Sequence, residues 1–149
     1  MRAVAQRVSQ ARVEVAEEVV GAIDLGLLVY LGVGKGDGDA DVAAMVQKLA
    51  GLRIFEDEQG KMSRSVRDVG GAILLVSQFT LYGDMRRGLR PSFDEAAPPD
   101  EANRLYQAVR AALEAAEITV ATGRFRAEMV VTASVLGPVT ILIDSKKTF

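Results

Sequence analysis

The chain has 149 residues, 49% hydrophobic and 26% charged, with a formal net charge of −2. That composition fits one globular domain over residues 1–149, and it excludes both a disordered chain and a broad basic face for gripping nucleic-acid backbone. Cys and His are absent, which excludes a thiol nucleophile, a disulfide framework, the common Cys/His zinc site and a Ser-His-Asp triad.

Any proton transfer must therefore use carboxylates, Lys, Tyr, a terminal amine, water or the substrate itself. No metal and no cofactor is expected. The longest apolar stretch, residues 25–33, is too short for a membrane span. Residues 1–8 lack the layout of a signal peptide, so cytoplasmic residence and no membrane partner are expected.

Residues 2–9 alternate as a strand, with Val4 and Val8 on one face and Ala3, Ala5 and Arg7 on the other. Residues 12–15 and 19–23 read as a hairpin pair, although Ala16-Glu17-Glu18 is a weak turn signal. Residues 26–33 form an apolar run suited to a strand buried on both faces. Residues 34–39 (GKGDGD) read as a surface loop, because the Lys-Ser/Thr ending of a phosphate loop is missing.

A helix follows, capped by Asp39 or Asp41, with Val42, Met45, Val46 and Leu49 facing the core. Residues 52–55 are a short apolar segment and residues 56–60 a polar turn. Residues 72–79 repeat the buried-strand pattern. Pro98 and Pro99 stop the next loop, and Asp100 is the expected cap of a second helix. Ala102, Leu105, Tyr106, Val109 and Leu113 face inward along it. Residues 128–134 and 139–143 close the chain as two strands separated by residues 135–138. The order predicts a fold of the α+β type: a mixed, mostly antiparallel sheet or barrel with two packed helices.

Three segments carry candidate chemistry. Ser77, Gln78, Phe79 and Thr80 end a buried strand in polar residues, where side chains and amides become available to ligands. Their plain reading is turn hydrogen bonds for Ser77 and Thr80 and core packing for Phe79. Arg86, Arg87 and Arg90 make a compact cationic loop that suits phosphate, or a solvated surface. Gly137 and Pro138 read by themselves as an ordinary turn.

Taken in order, AQRV at 5–8, GLRIF at 51–55, GKM at 60–62, VSQFTL at 76–81, RGLRPSF at 87–93, TGRF at 122–125 and GPVT at 137–140 closely resemble the D-aminoacyl-tRNA deacylases, formerly the D-tyrosyl-tRNA deacylases. The resemblance covers essentially the whole chain. Val135 and Leu136 stand where that family commonly has polar residues. The resemblance implies hydrolysis of the ester of D-aminoacyl-tRNA, and of misplaced glycyl-tRNA, by a homodimer with a cross-subunit site that binds the aminoacylated tRNA 3′ end.

It further implies that Gly137 and Pro138, joined by a cis bond, enter the partner's site and reject L-residues by exclusion. Arg7 would hold that loop, and Phe125 and Met129 would join them in binding substrate. Ser77, Gln78, Phe79 and Thr80 would form the catalytic floor. Thr80 could attack as a nucleophile; alternatively, the protein positions the ester while the terminal 2′-hydroxyl helps activate water. The missing imidazole favours the second. The rival class is a non-catalytic RNA-binding accessory of translation. Lys61 and Arg64 join the Arg loop as possible contacts to the acceptor end.

Overall fold

The computed structural model describes residues 1–149. Eight strands and two helices follow in the order β1 (Arg2–Val15), β2 (Glu18–Ile23), β3 (Gly26–Gly32), α1 (Asp39–Gly51), β4 (Phe55–Glu56), β5 (Met62–Arg64), β6 (Ala72–Ser77), α2 (Pro99–Ala115), β7 (Thr119–Thr122) and β8 (Val130–Asp144). A 3-10 turn, Phe79–Tyr82, follows β6. No helix is long and apolar enough to cross a membrane.

The main sheet runs β2-β1-β3-β6-β7, with β8 on the other edge of β1. β1 pairs antiparallel with β2, β3 and β8, whereas β3–β6 and β6–β7 are parallel. The sheet is mixed, as the element order predicted. β1 is long enough to serve two neighbours on one side: its first half pairs with β3 and its second with β2.

Two cores result. Ala3 and Ala5 of β1, Leu27, Val29 and Leu31 of β3, and Ile73 and Leu75 of β6 pack under Met45 and Leu49 of α1 and Leu105, Val109 and Leu113 of α2. On the opposite face the sheet curls around Val8, Ala11, Val13, Ile23, Leu28, Leu74 and Val76, with Ala121 of β7 against them, into a nearly closed barrel. Strands buried on both faces need apolar residues at successive positions, which explains the unbroken runs in β3 and β6.

The structure departs from the sequence expectations at several local points. The segments at 2–9 and 12–15 are one strand, β1, because Ser9 and Gln10 cross a register shift against β8 without ending the ladder. Ala16 and Glu17 both adopt positive φ, the backbone of a tight hairpin turn without the usual glycine. Gly38, not an Asp, occupies the cap position of α1; Asp41 instead accepts the Gly38 N–H at 3.0 Å.

The second helix starts at Pro99 with Pro98 as its cap, so Asp100 lies in the first turn. Proline suits that position because its missing N–H would be unpaired there anyway. β6 stops at Ser77 and the chain coils at Phe79. β4, β5 and β7 are short strands whose existence depends on their neighbours.

The 34–39 loop is not a plain surface loop. Asp37 is buried, accepts the Gly34 N–H at 2.7 Å and pairs with the Met1 ammonium at 2.7 Å. The largest departure concerns the end of the chain. Residues 128–134 and 139–143 are not two separate strands around a turn; from Val130 on both belong to β8, whose pairing with β1 lapses over residues 136–139.

Candidate functional site

Where β6 ends, the chain leaves the sheet. Gln78 donates its N–H to Leu31 O at 2.8 Å, the last link to β3, and the 3-10 turn begins. Within the turn, Leu81 N donates to Gln78 O and Gly83 N to Thr80 O. The amides of Phe79 and Thr80 open the turn and donate to no group of the chain. They are the unpaired donors expected at the start of any helical turn.

The residues that carry those amides line a cavity of about 710 Å³ between the strand ends and the start of α2. Ser77, Gln78, Phe79, Thr80, Phe125 and Met129 all line it. Phe79 does not fill the core; it is 58% exposed and meets Phe93 edge to face at 5.1 Å. Its ring stands at the rim because the 3-10 turn rotates it out of the strand's alternation. The Gln78 amide donates to Thr80 Oγ1 at 3.0 Å. In the TGRF segment, a Cβ on Gly123 would lie 2.6 Å from Met129 Sδ, so glycine there leaves room for the Met129 side chain.

The electrostatics of the cavity are simple. No carboxylate lines it, and its charged side chains are Lys35 and Arg126. Tyr106 lies at the base, where its hydroxyl donates to Leu75 O at 2.7 Å and burial pushes the phenol up to about 12. A phenol held that high and already donating is neither base nor acid near neutrality. The cavity can hold an apolar or aromatic group beside the residues whose amides open the turn. It provides no carboxylate or imidazole to take a proton.

Sequence reasoning did not place Lys35, Ala96, Ala97, Pro98, Pro99 and Arg126 at this cavity. The two prolines carried a signal only for the start of a helix. Arg86, in the cationic loop, is held in a fork by Asp84, with contacts of 2.6–3.0 Å. Arg87 and Arg90 make no such pair and flank Leu89, which is 94% exposed. Lys61 and Arg64 lie on the separate β4–β5 hairpin.

Gly137, Pro138 and Arg7 do not line the cavity of their own chain. Gln6 pairs with Thr140 and Val8 with Val135, so β8 takes five steps where β1 takes two. Residues 136–139 are thus pushed out of the ladder as a bulge. The Gly137–Pro138 bond is cis, and Gly137 has φ +114°. Both residues are exposed on β8, which pairs only with β1. Arg7 is close by: its Nη2 lies 3.2 Å from where a Cβ on Gly137 would be. Its hydrogen bond, however, goes to Ile54 O at 2.8 Å, and its buried Nε has no partner within the chain.

Comparison with known proteins adds to this geometry. The profile of the D-Tyr-tRNA(Tyr) deacylase family matches residues 4–144. A D-aminoacyl-tRNA deacylase of Desulfitobacterium hafniense (strain DSM 10664 / DCB-2) is 60% identical over 149 residues, covering 100% of both chains. Among solved structures, the c-Myc DNA Unwinding Element Binding Protein superposes with a TM-score of 0.91 at 40% identity, covering 97% of this chain and 98% of that one. A chain described as a probable eukaryotic D-amino acid tRNA deacylase shares the fold, with a TM-score of 0.81 at 18% identity, covering 95% of this chain and 97% of the other.

Proposed function

The chain belongs to the D-Tyr-tRNA(Tyr) deacylase family, and from that premise we propose that it is an ester hydrolase that releases D-amino acids from D-aminoacyl-tRNA. The observation that carries the mechanism is the pair of unpartnered amides, Phe79 and Thr80, at the edge of a cavity without a carboxylate or imidazole. Water adds to the ester carbonyl carbon. The oxygen that becomes negative is held by these amides, at about 3–4 kcal/mol per donor by analogy with other oxyanion holes.

The carbon–oxygen bond to the ribose then breaks and the proton from water ends on the leaving ribose oxygen. The neighbouring 2′-hydroxyl of the terminal adenosine relays it, because no side chain in the cavity is suited to do so. Aminoacyl esters are already activated, so positioning and charge stabilisation suffice. Thr80 acts through its backbone and by fixing Gln78. An unassisted hydroxyl is a poor nucleophile.

Chirality is sorted by the β8 bulge of a second copy. Two observations support a cross-subunit site: Gly137 and Pro138 lie away from their own cavity, and β8 leaves one long edge unpaired. Long unpaired edges are normally blunted or covered. In the homodimer the main-chain carbonyls of Gly137 and Pro138 hold the α-amino group of the substrate, with Arg7 bracing the loop. A D side chain then points to open space and an L side chain meets the loop. Glycine, which has no side chain to reject, passes the filter, so misplaced glycyl-tRNA is also hydrolysed. Arg87 and Arg90, which make no ion pair within the chain, are the side chains proposed to contact phosphates of the acceptor end.

The test is release of amino acid from the same tRNA charged with the D- and the L-form. Hydrolysis confined to the D-form supports the reading; equal cleavage of both overturns it. A substrate ending in 2′-deoxyadenosine tests the relay, and its hydrolysis at the full rate would remove the 2′-hydroxyl from the mechanism. Binding of the D-charged tRNA without hydrolysis would point to the non-catalytic RNA-binding module.

A further inference from the structure

We propose that Arg2, locked by the buried chain terminus, is a positioning residue that sets the 3-10 turn carrying the Phe79 and Thr80 amides. The inference rests on the oxyanion role assigned to those amides above. Met1 is fully buried, and its ammonium contacts Asp37 Oδ2 at 2.7 Å and donates to Ser145 Oγ at 2.9 Å. Ser145 N donates back to Met1 O at 2.9 Å. The terminus thus ties together the loop after β3 and the tail after β8, and residue 2 inherits a fixed backbone.

From that position Arg2 reaches the far end of the turn. Its Nη1 donates to Leu81 O at 3.2 Å, and its guanidinium lies 4.6 Å over the Tyr82 ring. Asp144 Oδ2 lies 3.6 Å from Nε, an ion pair beyond hydrogen-bond distance, and that buried Nε has no hydrogen-bond partner. On its other side Tyr82 rests against Gly34, where a Cβ would fall 2.7 Å from the ring. Gly34 is itself hydrogen-bonded to Asp37, the partner of the Met1 ammonium.

Leu81 and Tyr82 are therefore gripped from two sides by groups that meet at Met1. The turn has only four residues, Phe79–Tyr82. In so short a turn a rotation at Leu81 and Tyr82 is transmitted to the first two amides. Oxyanion donors act through geometry, so a small misplacement lowers the rate without weakening substrate binding in proportion.

The experiment uses the full chain with Arg2→Met, which keeps the stem and loses the fork, and Arg2→Lys, which keeps the charge. Two readouts are taken well below the unfolding temperature: kcat and KM for D-aminoacyl-tRNA, and amide hydrogen exchange. The expected result is a fall in kcat of about tenfold or more for Arg2→Met with KM within about twofold, and a smaller fall for Arg2→Lys. Exchange at Leu81 and Gly83, whose N–H groups close the turn, speeds up while the β3 and β6 amides keep wild-type protection.

Unchanged exchange at Leu81 and Gly83 overturns the proposal, and so does faster exchange with a wild-type kcat. Uniformly faster exchange across the sheet also overturns it, as the mark of a merely structural residue. Should Arg2→Met not fold, Arg2→Lys carries the same criteria. Should the wild-type chain hydrolyse no aminoacyl-tRNA, the proposed activity fails, and local exchange at the turn still decides whether Arg2 sets it.

Discussion

The end of β6 and the bulge of β8 are both short interruptions of a strand, yet they are built by different means. The first is finished within one chain. Gln78 is bonded to β3, Tyr82 rests on Gly34, and the cavity beyond is walled by α2 and the 125–129 segment. The second is displaced from the ladder, exposed, and away from any cavity of its own chain. The first site is complete within one chain, whereas the role proposed for the bulge requires a second molecule against the open edge of β8.

The sharpest way to break this comparison is Gly137→Ala. The added Cβ would meet Val139 Cγ2 at 2.8 Å and Arg7 Nη2 at 3.2 Å, at a φ of +114°. Such a backbone is strained by about 1–3 kcal/mol in a non-glycine residue, so the bulge must move. Hydrolysis of D-aminoacyl-tRNA should fall by more than about 100-fold. The thermal unfolding midpoint should fall by several degrees, as strain of that size implies, while the fold is retained.

Mixing subunits tests whether the two regions meet across chains. Ala102→Trp fills the cavity and leaves β8 intact. Neither it nor Gly137→Ala should be active alone. Refolded together in equal amounts, they should recover about a quarter of wild-type activity, since half the dimers are mixed and each has one complete site. No recovery would place filter and cavity in the same chain.

A smaller effect is expected at Thr80. Thr80→Ala removes an acceptor for Gln78 but leaves the amide, so kcat should stay within about tenfold of wild type. Complete loss with intact substrate binding would make the hydroxyl the nucleophile.

The smallest effect lies in the anchor beneath the turn. Burial raises the Asp41 carboxyl, but hydrogen bonds from Ser145 Oγ, Gly38 N and Lys146 outweigh it and bring it down to about 2 from 3.8. A carboxyl lowered on folding adds stability above its unfolded value, and that stability disappears as pH falls through the folded value. Asp41→Asn should therefore lower stability at pH 7 by on the order of 1 kcal/mol after solvent screening. The gap should narrow as pH drops from about 4 toward 2, as read by thermal unfolding. The ratio of D- to L-substrate hydrolysis should not change.

Much of this was legible in local sequence. The apolar runs of β3 and β6 and the helical spacing of Leu105, Val109 and Leu113 named their elements correctly, because burial on two faces or on one stripe leaves a periodic trace. The motifs SQFT and GPVT marked the two regions through resemblance, although SQFT did not reveal that Phe79 stands exposed at a rim. The role of the 34–39 loop was hidden, since its Asp37 depends on a chain terminus that no periodicity reports. Pro98 and Pro99 signalled a helix start and gave no hint of a cavity wall.

The sequence by itself determined the two helices and the long apolar strands, that no imidazole or thiol takes part, and which short motifs stand out. Tertiary structure alone decided that β8 continues through a bulge, that the Phe79 and Thr80 amides are left unpaired beside a cavity, and that Met1 and Arg2 brace the turn. The physical reason is range. Burial periodicity is written in neighbours two to four residues apart, while bulges, cavities and buried ion pairs arise from residues brought together across the length of the chain.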